Sequence, residues 1–194
     1  MCSHYLEIGA DHVKKLLGDR IEFKLWAAQR HFDKLEKIEK SYGGIMGENR
    51  VYAEDELDCY FAQIIGAKDS LLMLINERLK LNIQEDEVTL KTINEELEKR
   101  NNQDIIYDLN RLNCDKSSWY WILRKLRNRS IHVSILRKQA RVNVGAKQSK
   151  AKNYLLSPPD YNTPMDKETI VFLSESLTNM RKLIDRIKEK VDRR

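Results

Sequence analysis

Apolar residues along this chain recur at steps of three and four rather than two, the period of a helix surface. Between residues 19 and 42, Ile21, Leu25, Ala28, Phe32, Leu35, Ile38 and Tyr42 form one such stripe, and Gly43-Gly44 supplies a stop. The G-G-x-x-G of Gly43 to Gly47 lacks both the Lys-Ser/Thr and the preceding strand of a phosphate-cradling loop, so it reads as a turn. A second stripe, Leu57, Phe61, Ile64, Ile65, Leu71, Leu72, Ile75 and Leu79, predicts a well-buried helix over about 54–80. Shorter amphipathic segments follow near 86–100, on Val88, Ile93 and Leu97, and near 104–112, on Ile105, Ile106, Leu109 and Leu112.

Ser117 is placed to cap a long helix over 117–142. Residues 143–163, with Gly145, Ser149, Ser157 and Pro158-Pro159, read as a loop. Thr163 at a cap, Pro164 at the first position and Asp166 three after the cap mark the start of a last helix over 164–192. It carries Ile170, Leu173, Leu177, Met180, Ile184, Ile187 and Val191, a 3-4 repeat that fits packing inside a bundle better than an isolated coiled coil. No strand alternation stands out. The expected fold is all-α, a bundle of about four to six helices. Residues 1–50 read as an N-terminal helical extension on a bundle over 51–194, the two forming one compact domain.

Composition agrees and excludes alternatives. Only 7 Gly and 3 Pro in 194 residues leave little punctuation for a many-turned β-fold. A charged fraction of 34% beside 41% hydrophobic residues excludes collagen-like and wholly disordered chains. The longest apolar run, Leu71–Ile75, falls far short of the ~20 residues of a membrane span. Residues 1–17 mix Glu7, Asp11 and two lysines among their apolar positions, unlike a signal peptide. Cys2, Cys59 and Cys114 are odd in number and far apart, and form neither a disulfide framework nor a CxxC pair. Cys59 and Cys114 read as small core residues of a reduced, cytoplasmic protein. His4 and His12 beside Cys2 match no zinc spacing, so no metal and no cofactor is expected.

The charge is unevenly placed. Overall 35 basic residues face 30 acidic ones, a net of +5. Between Lys116 and Pro159 there is no acidic residue, while eleven basic ones occur, leaving 24 basic against 30 acidic elsewhere. Lys116, Arg124, Lys125, Arg127, Arg129, Arg137, Lys138, Arg141, Lys147, Lys150 and Lys152 make up this block, the electrostatic footprint of a polyanion partner such as RNA or a nucleotide. Trp119, Tyr120, Trp121 and Tyr154 are positioned in the sequence to add base stacking.

On a helical wheel, Trp119, Ile122, Leu123, Leu126, Ser130, Val133 and Ala140 form the core stripe of the basic helix. The opposite side holds Trp121, Arg124, Asn128, Ile131, His132 and Ile135. A face with a Trp and two Ile is too apolar for solvent alone, so Trp121, Ile131 and Ile135 are expected at an interface, with another helix or a second copy of the chain. Asn128 and His132 are four apart and lie side by side. Arg127 and His132 are about 140° apart and flank the face, so a two-fold contact would gather two copies of each into one basic cleft.

Arg127-Asn128-Arg129-Ser130-Ile131-His132 resembles the R-[polar]-x(3–5)-H signature of the HEPN superfamily (higher eukaryotes and prokaryotes nucleotide-binding), over a bundle from about 54 to 190. The resemblance implies a helical bundle, commonly dimeric, and often a metal-independent endoribonuclease with a composite site at the dimer interface. In that setting His132 acts as general base or acid, Arg127 binds the scissile phosphate, and Asn128 orients one of them. Products carry a 2′,3′-cyclic phosphate. Other members have lost activity, so the alternatives are a non-catalytic module binding RNA or nucleotides and a helical protein-interaction partner.

Overall fold

The apolar stripes become helices in the computed structural model, which describes residues 10–40, 47–112, 118–132, 136, 138–141 and 152–194. The side chains of Ala10, His12, Lys40, Gly47, Ile131, His132 and residues 138–141 lie outside that description. In chain order the elements are α1 (Ala10–Gly18), α2 (Arg20–Lys40), α3 (Gly47–Arg78), α4 (Leu90–Lys99), α5 (Gln103–Asn110), α6 (Trp119–His132), β1 (Lys138–Arg141), β2 (Lys152–Leu155) and α7 (Thr169–Asp192). The fold is all-α, with seven α-helices among the described residues, one more than expected because α1 is separate. None of these helices is long and apolar enough to cross a membrane.

Helix α3 is the central post. Leu57, Tyr60, Phe61, Ile64, Leu71 and Ile75 are fully buried, and α2, α4, α6 and α7 pack around them. Tyr60 Oη donates to the Leu173 carbonyl at 2.6 Å, satisfying a hydroxyl the core would otherwise strand. Ile21, Leu25, Ala28 and Leu35 place α2 in the same core cluster as α7's Leu173, Met180, Ile184 and Ile187. Asp19 starts α2 by accepting from Ile21 N and Glu22 N at 2.9 and 3.1 Å. Its other oxygen accepts from Lys188 at 3.0 Å, tying that cap to α7. Thr89 starts α4 with a capping box to Thr92.

Three boundaries differ from expectation. Helix α3 begins at Gly47 rather than near 54, because Glu48 to Tyr52 are exposed and show no apolar period. Helix α6 ends at His132 and not at 142. The chain then turns into a two-stranded antiparallel hairpin, pairing Lys138 with Leu155 and Arg141 with Lys152. β-Branched Val133, Ile135, Val142 and Val144 weaken the helical choice there. Leu136 is buried, and its N–H donates to Glu54 Oε2 at 3.3 Å. The expected loop over 143–163 thus contains β2, whose Asn153, Tyr154 and Leu155 are buried. Helix α7 begins at Thr169 rather than Pro164. Pro164 bridges Leu156, Ser157 N donates to the Thr163 carbonyl at 2.7 Å, and Met165 N donates to the Leu155 carbonyl at 2.8 Å, so the segment is extended.

Candidate functional site

Four turns of α6 carry most of the predicted residues. Leu123 and Leu126 are fully buried and fix the helix against α3 and α7, which turns positions 120, 124, 127 and 128 toward a cleft. That cleft has a volume of about 340 Å³ and lies between α6, α3 and the start of α4. Arg124, Arg127 and Asn128 line one wall, with Tyr120 beneath. Lys68 and Ile65 of α3 and Thr89, Leu90 and Lys91 of α4 line the other. Four lining residues are cations and none is a carboxylate.

Arg127 Nη1 donates to Asn128 Oδ1 at 3.3 Å, a weak contact that leaves most of the guanidinium fork available. Its Nε is buried and has no hydrogen-bond partner among the described residues. Lys68 pairs with Asp69, and Lys91 with Glu95 at 3.7 Å, a loose contact worth little in solvent. Burial pushes the Tyr120 hydroxyl well above the usual phenol range, with Asp69 adding to the rise while Arg124 and Arg127 oppose it. Tyr120 therefore stays protonated at any working pH.

The remaining predicted residues are placed differently. Lys125 is exposed and sits 5.5 Å over the half-buried Trp121 ring. Arg129 lies 4.2 Å over the Tyr161 ring, a cation–π contact that gives it a packing role, while Tyr161 Oη donates to the Lys125 carbonyl at 3.1 Å. Lys152 pairs with Glu168. His132 is the last residue of α6, and Lys138 and Arg141 belong to β1; the side chains of all three, and of Ile131, lie outside the described residues. So do Ile135, Arg137, Lys147 and Lys150 entirely.

Two stacking candidates are corrected. Tyr120 is 2% exposed and Tyr154 8%, so neither ring offers a face to a base; Tyr120 instead meets Trp119 edge-on at 5.5 Å. Cys59 is half-buried rather than a core residue, with burial and neighbouring carboxylates raising its thiol pKa. Lys68, Thr89 and Lys91 went unmarked in the sequence, where Lys68 adjoins Asp69 and Lys91 lies in an acidic stretch. A second polar group also went unmarked. His31 Nδ1 lies 2.6 Å from Glu56 Oε2, and Lys34 donates to Glu56 Oε1 at 2.9 Å, linking α2 to α3 away from the cleft.

A family model described as HEPN_Cthe2314-like HEPN matches residues 19–192. No curated protein and no solved structure gives a match. The match takes in α2, which the sequence reading assigns to an added N-terminal element, and it agrees with the place of α2 in the core. The chain belongs to the HEPN family.

Proposed function

We propose that this HEPN-family chain is an endoribonuclease that cuts RNA without a metal ion, using Arg127, Asn128 and His132 from two copies of the chain. The observation that carries the reading is the convergence of Arg127, Asn128 and Arg124 on one cleft lined by four cations and no carboxylate. A guanidinium is suited to that place. Its planar donors match the oxygens of a phosphodiester and stabilise the charge that builds as phosphorus is attacked.

In the reaction, the 2′-hydroxyl attacks phosphorus and the P–O5′ bond breaks, giving a 2′,3′-cyclic phosphate and a 5′-hydroxyl. One His132 takes the 2′-hydroxyl proton and gives it to the leaving 5′ oxygen, while Arg127 of the second copy holds the phosphate. An imidazole titrating near ~6.5 suits both tasks at neutral pH. Asn128, one helical turn before His132, holds the phosphate or the ring in register.

Incubation of the purified protein with RNA in EDTA tests this. Cleavage should persist in the chelator and fall about 10²–10⁴-fold in His132→Ala, the usual size of a lost proton-transfer group. Absence of cleavage by the unaltered protein, or an undiminished rate in His132→Ala, would overturn it. Salt-sensitive RNA binding with no cleavage would instead leave the non-catalytic binding module, which the basic cleft supports on its own.

A further inference from the structure

The cleft extends past Arg127, and the reading above gives its far wall no task. That wall is built from Lys68 on α3 and from Thr89, Leu90 and Lys91 at the start of α4. Charge limits what fits. With Arg124 and Arg127 opposite, the nine lining residues present four cations, and the carboxylates that pair with Lys68 and Lys91 are outside the lining. The loose, solvent-weakened Lys91–Glu95 pair and the two arginines of the opposite wall favour an anion here.

Hydrogen bonding narrows it further. The fork of Arg127 is engaged by one 3.3 Å contact, and the lysines add point donors. Several donors around one small space suit the oxygens of phosphate groups. The apolar part of the lining is aliphatic, Ile65 and Leu90, and the one ring, Tyr120, is 2% exposed. A base finds no face to stack on, so contact is with the backbone rather than the bases. At about 340 Å³ the space lies at the lower end of small-molecule sites, too narrow for a duplex and adequate for part of one strand.

We propose that Lys68, Lys91 and Arg124 form a second phosphate subsite beside Arg127, one that holds the backbone of single-stranded RNA without regard to base. It rests on the reading of Arg127 as a phosphate ligand but does not depend on cleavage. The subsite fixes the strand from the α3–α4 side, so that the phosphate at Arg127 is presented in one orientation. Phosphate contacts of this kind position a strand and carry no sequence information.

The test uses the full chain carrying His132→Ala, so that RNA stays intact, and fluorescein-labelled ten-nucleotide oligouridylate and oligoadenylate. Affinity is measured between 50 and 300 mM salt. Lys68→Gln and Lys91→Gln should each make the slope of log affinity against log salt shallower by ~0.7, and the pair by ~1.4, equally for both oligomers. Lys68→Arg and Lys91→Arg should keep the slope, and Lys182→Gln, on the exposed side of α7, should leave it unchanged. The Lys91 side chain is 85% exposed, so its variants fold even if a Lys68 variant is weakened. An unchanged slope in Lys91→Gln, an equal change in Lys182→Gln, or a loss confined to one oligomer would overturn the subsite. Cleavage by the unaltered protein, assayed separately, distinguishes the two readings. Cleavage with an unchanged slope sinks the subsite alone, and a changed slope without cleavage sinks only the ribonuclease.

Discussion

Two half-buried arginines two residues apart on α6 have different surroundings. Arg129 lies over the Tyr161 ring, whereas Arg127 lines the cleft beside Asn128. The contrast gives Arg129 a packing role and leaves Arg127 for the phosphate role proposed above. A parallel contrast occurs among the acids of α3. Glu56 is buried but held by His31 and Lys34. Asp58 has a buried Oδ1 with no hydrogen-bond partner among the described residues, and burial, with Asp55 adding, raises its pKa. The native state therefore keeps this proton to higher pH than the unfolded chain, whose aspartates titrate near ~3.9. By linkage, stability at this site is greatest below that value and declines as pH rises through the raised native pKa. Asp58→Asn should melt about 1–2 °C above the unaltered protein at pH 7, with the gap closing toward pH 4. Thermal melts across that range check it; a gap independent of pH, or a lower melting point, would count against it.

At the scale of elements, the hairpin after α6 is the part whose role is easiest to misjudge. Leu155 on β2 is fully buried in the main core cluster together with Leu136. Leu155→Ala should cost about 2–5 kcal/mol in denaturant unfolding, as for other buried leucines. A solvent-exposed loop residue would change stability by no more than about 0.5 kcal/mol, which would refute the docking of this strand. The hairpin was illegible in the sequence for a physical reason. Lys138-Gln139-Ala140-Arg141 has no apolar alternation, and its burial partner Tyr154-Leu155 is a run too short to separate strand from loop. The helices α2, α3 and α7 were legible because each buries a long stripe whose period survives local exceptions. The start of α7 was not, since a Thr-Pro-x-Asp start signal competes there with extended pairing to β2. The same division holds at the site. Arg127 and Asn128 could be singled out because one helix carries them. Lys68 and Lys91 belong to helices of mixed or acidic composition, and only tertiary packing brings them to the basic wall.

Over the whole molecule, the net of +5 resolves into a basic block inserted into an otherwise acidic chain. Packing then shares that charge: Lys152 is paired with Glu168, Lys68 with Asp69 and Lys91 loosely with Glu95, and the last two lysines line the cleft with Arg124 and Arg127. A single copy supplies one Arg127 and one position 132 set about 140° apart around α6, which leaves phosphate binding and proton transfer on diverging sides of the helix. In the proposed dimer Arg127 of one copy lies across the axis from position 132 of the other, which removes that divergence. Arg127→Ala and His132→Ala should each cleave RNA at no more than about a hundredth of the starting rate. When the two variants are mixed and allowed to exchange subunits, about half of the dimers become mixed and carry one intact Arg127 and one intact His132. Activity should then return to a substantial fraction of the starting rate, alongside sedimentation at twice 22.9 kDa. A mixture as inactive as its components, in a sample shown to have exchanged, would place each site within one subunit and dismiss the composite arrangement.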